Sequence, residues 1–141
     1  MTPQGYAGDL TPREAWQLLQ AEPDAVLVDC RTRAEWSYVG VPDTGELARP
    51  LLAVEWQRFP TGQVNDRFVE ELRAALGDGP GGPLVFLCRS GVRSVAAARA
   101  ATAAGLGRAY NVLDGFEGGL DADGHRGRTG WRAEGLPWRQ S

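Results

Sequence analysis

The sequence predicts an α/β fold: a parallel sheet with helices on both faces. Three observations carry this. Short, largely apolar runs at residues 25–28, 84–87 and 110–113 read as strands buried on both faces. Segments with helical apolar spacing alternate with these runs, the pattern of strand–helix–strand crossovers. The chain has 141 residues, 43% of them hydrophobic, enough to bury one core without metal or disulfide staples.

Residues 1–10 read as an irregular N-terminal arm, and residues 11–141 as a single domain. Thr11-Pro12-Arg13-Glu14 is a helix start: Thr11 caps, Pro12 suits the first turn, and Glu14 completes a capping box. Ala15, Trp16, Leu18 and Leu19 form its apolar face, and the helix fades before Pro23. The strand at 25–28 ends at Asp29. A short helical stretch runs from Thr32 through Trp36 and closes at Gly40-Val41-Pro42-Asp43. Residues 43–50 are loop, and residues 51–56 are a second strand. Asn65 is expected to cap the next helix, with Phe68, Val69, Leu72, Ala75 and Leu76 at helical spacing. Residues 77–83 are a turn-rich connection. Residues 84–87 are the central strand, 94–104 an alanine-rich helix stopped by Gly105, and 110–113 a further strand. A short helix is expected around Trp131, ending at Gly135-Leu136-Pro137.

Composition excludes whole classes of chemistry. All 15 basic residues are arginine, so a lysine Schiff base or a phosphate-binding loop lysine is impossible. His125 is the single histidine, which rules out a multi-histidine metal site. The net charge of −3 gives no support for nucleic-acid binding. No apolar run approaches the ~20 residues of a membrane helix, and the N-terminal residues lack the pattern of a secretory signal. With two cysteines only, the expectation is a cytoplasmic protein with free thiols.

The informative segment is Cys88-Arg89-Ser90-Gly91-Val92-Arg93-Ser94, between the central strand and the alanine-rich helix. In an open parallel sheet, ligands bind beyond the carboxyl ends of the strands. Cys88 stands at such an end. Curled loop amides, a helix N-terminus and two arginines would favour a thiolate, lowering the thiol pKa below its free value of about 8.5. The same field would hold an anionic substrate. Arg89 and Arg93 are expected at the solvent-facing rim. Cys30, beside Asp29 and Arg31 without a glycine loop, reads as a packing residue, or as a resolving thiol if close to Cys88.

Two motifs together resemble the single-domain rhodanese family of sulfurtransferases. One is Asp29-Cys30-Arg31-Thr32-Arg33-Ala34-Glu35-Trp36 followed by Gly40-Val41-Pro42; the other is the loop from Cys88 to Ser94. A weaker match is Leu113-Asp114-Gly115-Phe116, with Trp131 and Gly135-Leu136-Pro137. The resemblance implies the rhodanese fold, with a parallel five-stranded sheet and helices on both faces. It implies that Cys88 is the catalytic nucleophile. Cys88 would take sulfur from a small anionic donor such as thiosulfate, hold it as a persulfide, and pass it to cyanide, a thiol or a protein acceptor. Substrate binding would fall to Arg89, Ser90, Gly91, Val92, Arg93 and Ser94. Asp29, Arg31 and Glu35 would be structural, with Arg31 and Glu35 pairing across one helical turn. No cofactor or metal is implied, and no nucleic-acid or membrane partner.

Two departures stand out. The family's histidine between glycine and the β-branched residue is absent at Gly40-Val41-Pro42, and residues 120–130 are inserted before Trp131. The insertion carries Asp121, Asp123, His125, Arg126 and Arg128. It reads as a surface hairpin, a substrate-selecting lid or, least, a calcium loop. The rival to sulfur transfer is a cysteine-based phosphatase or arsenate reductase of the same fold. Such phosphatases resemble this chain but use a longer loop, and the shorter one here suits a single sulfur atom. A non-enzymatic binding module is the other alternative.

Overall fold

Thr11 and Glu14 close the expected reciprocal cap in the computed structural model, which describes residues 4–78 and 81–140. The first helix, α1 (Pro12–Ala21), is preceded by strand β1 (Gly8–Leu10). The next elements are β2 (Val26–Asp29), α2 (Arg33–Tyr38), β3 (Val41–Pro42) and β4 (Leu52–Ala53). They are followed by α3 (Phe68–Leu76), β5 (Leu84–Leu87), α4 (Arg93–Ala103), β6 (Ala109–Val112) and β7 (Trp138–Arg139). Five strands form one parallel sheet in the order β1-β6-β5-β2-β4, so β5 is central, as its apolar run predicts.

The two-residue period of the strands divides the core. Val26, Val28, Leu84 and Phe86 face Phe68 and Leu72 of α3 and Ala97, Ala98 and Ala101 of α4. Leu27, Val85 and Leu87 face Ala15 and Leu19 of α1, together with Phe116 and Trp131. Continuing the first alternation past the strand ends puts Cys30 and Cys88 on the α3–α4 side. The small alanines of α4 let that helix lie close to the sheet, which brings its N-terminus to the end of β5. No described helix is long and apolar enough to cross a membrane.

Several elements differ from the sequence expectation. Residues 8–10 are a strand, not an irregular arm, because β1 pairs in register with Tyr110, Asn111 and Val112. The strand expected at 51–56 contracts to Leu52–Ala53. Past it the chain bends away, with the Trp56 and Asn65 amides bonded to Cys30 and Trp56 carbonyls. Asn65 does not cap α3; Arg67 occupies that position without a side-chain bond. The buried Asn65 instead ties the turn before the helix, accepting from Arg67 N and donating to the Glu55 carbonyl and Glu71. Part of the 77–83 connection, Gly79 and Pro80, lies outside the described residues. Around Trp131 there is a wound turn rather than a helix. The Trp131 and Arg132 amides bond back to Gly115 and Phe116, and Gly130 and Gly135 at positive φ bracket the segment. Beyond it, β7 pairs antiparallel with β3.

Candidate active site

Cys88 follows β5 directly, at the carboxyl end of the central strand, and is 1% exposed. The loop of residues 88–93 turns over its sulfur. Gly91, at φ +98°, donates its N–H to Cys88 Sγ at 3.1 Å. Left-handed backbone of this kind suits glycine and is strained for other residues. Ser94, in the first turn of α4 and fully buried, sets Oγ 3.2 Å from the same sulfur. The loop leans on the segment after β6. The Phe116 and Glu117 amides bond to the Cys88 and Arg89 carbonyls, and a side chain at Gly115 would collide with those carbonyls. Sulfur, loop amide and helix start are thus fixed by both neighbouring chain segments.

The two loop arginines are placed differently. Arg89 is exposed and lines an open cleft of about 530 Å³ with Tyr38, Val39, Phe59, Pro60 and Arg58. Tyr38 and Phe59, 84% and 66% exposed, make its rim apolar. Arg93 lines the same cleft but is largely buried and paired there: its guanidinium holds both carboxylate oxygens of Glu35, at 2.7 and 2.9 Å. Glu35 also accepts from Thr32 N and Oγ1 in the capping box of α2. Burial works to raise the Glu35 carboxyl, but the Arg93 bonds and the Thr32 amide outweigh it and hold it below the usual carboxylate range. Burial likewise opposes the Arg93 charge and is outweighed by Glu35, so that guanidinium is held charged.

The expected pairing of Arg31 with Glu35 does not form. Arg31 precedes the cap residue Thr32, so its side chain runs back along the end of β2. There it forks onto Asp29, donates to the Gly40 carbonyl at 2.7 Å and lies over the Phe116 ring at 4.3 Å. Both members of this pair are fully buried. It ties the strand end to two loops and does not face the cleft.

Cys30 lies beside the site. It extends β2 next to Cys88, its N–H bonds to the Leu87 carbonyl, and its Sγ lies 3.4 Å from the same oxygen. Burial pushes its thiol well up, Cys88 and Asp29 push the same way, and Arg93 opposes them only in part. Both cysteines are free. Residues 120–130 are stitched to themselves and to residues 117–118 just before them. Asp121 accepts from the His125 and Asp123 amides and from Arg128, bonds that lower its carboxyl, the His125 amide foremost. Arg126 donates to the Gly118 carbonyl. None of the described residues that line the Arg89 cleft comes from this segment.

Sequence reasoning did not connect Glu35 to Arg93, and it passed over Asn111 and Asp9. Ser94 Oγ donates to Asn111 Oδ1 at 2.5 Å, and Asn111 Nδ2 donates to Asp9 Oδ1 at 3.0 Å. The signal was present in Asn111: an amide inside an apolar strand needs a buried partner.

Comparison with known proteins places these features in context. The model of the rhodanese-like domain matches residues 11–122. A protein of Rickettsia rickettsii described as uncharacterised is 35% identical over 126 residues, 89% of this chain and 92% of its own length. A thiosulfate sulfurtransferase of Glaesserella parasuis is 30% identical over 110 residues, 78% and 83% of the two chains. The crystal structure of Rv0390 from M. tuberculosis superposes with a TM-score of 0.89 at 59% identity, covering 96% of this chain and 99% of that one. The polysulfide-sulfur transferase homodimer of Wolinella succinogenes superposes with a TM-score of 0.61 at 27% identity, covering 97% and 80%.

Proposed function

This chain belongs to the rhodanese-like domain family, and on that premise we propose that it is a sulfurtransferase working through a persulfide on Cys88. The observation that carries the reading is the placement of the Cys88 sulfur. It sits at the end of the central strand, under a loop whose Gly91 N–H points at it from 3.1 Å. In the first half-reaction the Cys88 thiolate attacks the outer sulfur of a donor such as thiosulfate. The new Cys88 S–S bond forms as the donor's S–S bond breaks, and sulfite leaves with its electron pair. In the second, an acceptor thiolate or cyanide attacks the outer sulfur and Cys88 leaves as thiolate. The persulfide's charge lies on its outer sulfur, where the amides of Arg89, Ser90, Gly91, Val92 and Arg93 would stabilise it. Arg89, exposed at the cleft, would steer the anionic donor, and the apolar rim of Tyr38 and Phe59 would receive the organic part of an acceptor.

The Arg93 geometry also bears on the phosphatase alternative. Phosphoryl transfer asks for a guanidinium fork turned toward the equatorial oxygens. Here both prongs are held by Glu35. Incubation with thiosulfate followed by intact mass measurement tests the reading. The expected result is a gain of about 32 Da, one sulfur atom, on the wild type and none on Cys88→Ser. A panel of thiosulfate, mercaptopyruvate and an aryl phosphate then defines the donor. Phosphate ester hydrolysis without sulfur loading would overturn the proposal.

A further inference from the structure

The hydrogen bonds behind Cys88 have a direction that the side-chain chemistry forces. Asp9 offers only acceptor oxygens, and its Oδ1 receives Tyr6 OH at 2.8 Å and Asn111 Nδ2 at 3.0 Å. The donor end of the Asn111 amide is therefore turned to Asp9, and its carbonyl end to Ser94. Ser94 Oγ, at 2.5 Å, must give its single proton to that carbonyl. Toward Cys88, 3.2 Å away, Ser94 has only lone pairs left. A thiol can donate to those lone pairs, whereas a thiolate would face them without a proton between.

From this chain of contacts we infer that Asn111 and Asp9 are positioning residues that hold Ser94 as a hydrogen-bond acceptor toward Cys88, so that this one contact favours the thiol and works against the Gly91 N–H that donates to the same sulfur. This runs against the sequence expectation that every element around Cys88 favours the thiolate. It also has a consequence for sulfur loading. With thiosulfate, Cys88–SH and the donor become Cys88–S–S⁻ and hydrogen sulfite, so the thiol proton leaves with the sulfite. Once loaded, Cys88 Sγ carries neither proton nor charge. The charge sits on the outer sulfur, away from Ser94. The relay therefore penalises the free thiolate, the form open to stray alkylation and oxidation, more than it penalises the persulfide. Other charged or titratable groups around Cys88 are Arg93 of α4 with its partner Glu35 of α2, and Cys30 and Asp29 at the end of β2. None of them contacts Ser94 in this relay.

The inference rests on Cys88 being the reacting group proposed above, and its test does not use sulfur transfer. The rate of Cys88 alkylation by iodoacetamide is followed against pH, with the modified peptide identified by mass. In Asp9→Ala the Asn111 amide is free to turn, and in Asn111→Leu the carbonyl is gone with little change of buried volume. Either way Ser94 can donate to the sulfur. The midpoint of the profile is expected to move to lower pH by about one unit, the scale of one hydrogen bond gained by a charged sulfur. Loss of the Asp9 charge alone would also move it downward. The same substitutions in a Ser94→Ala background separate the two causes: the relay requires the shift to vanish there. An unmoved midpoint, an upward shift, or an equal shift with and without Ser94 overturns the inference. A Cys88 that follows the expected profile but gains no sulfur mass would instead sink the sulfurtransferase reading alone.

Discussion

Arg89→Ala and Arg93→Ala separate two uses of the same guanidinium. Arg89 is exposed at the cleft, so its loss should raise KM for thiosulfate several-fold with little change in melting temperature. Steady-state kinetics and a thermal melt check both halves. Arg93 is bound to Glu35, and each side chain is 18% exposed. Its removal leaves a largely buried carboxylate with one partner fewer, which should cost about 1–3 kcal/mol of stability. The pair also has a pH signature. The Glu35 carboxyl is held below its unfolded value, so its contribution is present above the ordinary glutamate range and fades as pH falls through the lowered value. Wild type should melt well above Glu35→Gln at neutral pH, and the gap should narrow on acidification. A gap that stays constant down to acid pH contradicts the assignment. Neither role was legible from spacing. Arg31 and Glu35 stand four apart and look like partners, but the α2 cap at Thr32 lies between them and turns their side chains in different directions.

At the scale of elements, β1 carries more than its three residues suggest. It covers the edge of β6 and supplies Asp9 to the relay behind Cys88. Deleting residues 1–10 should lower the melting temperature and bare a parallel edge strand, seen as concentration-dependent association in light scattering. An unchanged melt in a monodisperse truncated protein would deny β1 that role. The sequence concealed this strand because Gly8-Asp9-Leu10 has almost no β-propensity of its own; its partner β6 imposes the extended form. The helix caps were readable for the opposite reason. A capping box is satisfied within four residues, so Thr11 with Glu14 and Thr32 with Glu35 needed no distant partner. Trp131 misled because its surroundings look helical. Its Nε1 donates to the Pro137 carbonyl and its ring meets Trp16 edge-on at 5.7 Å, contacts that fix a turn.

For the whole molecule, the segment 120–130 is the clearest point to test. It is bonded internally through Asp121 and contributes nothing to the lining of the Arg89 cleft. Replacing residues 121–129 by a short Gly-Ser linker should leave thiosulfate kcat/KM within about twofold, a change of under ~0.5 kcal/mol in barrier height. A larger loss would restore the lid. The sequence by itself determined the sheet core, the crossovers and the position of Cys88 at a strand end. Those features depend on apolar period, local caps and turn residues, all of which act within one element. Tertiary structure alone decided which charges meet. Glu35 reaches Arg93 across 58 residues, and Asn111 reaches Asp9 across 102. A buried polar group takes whatever partner the packed sheet brings within 3 Å, and no spacing along the chain encodes that choice.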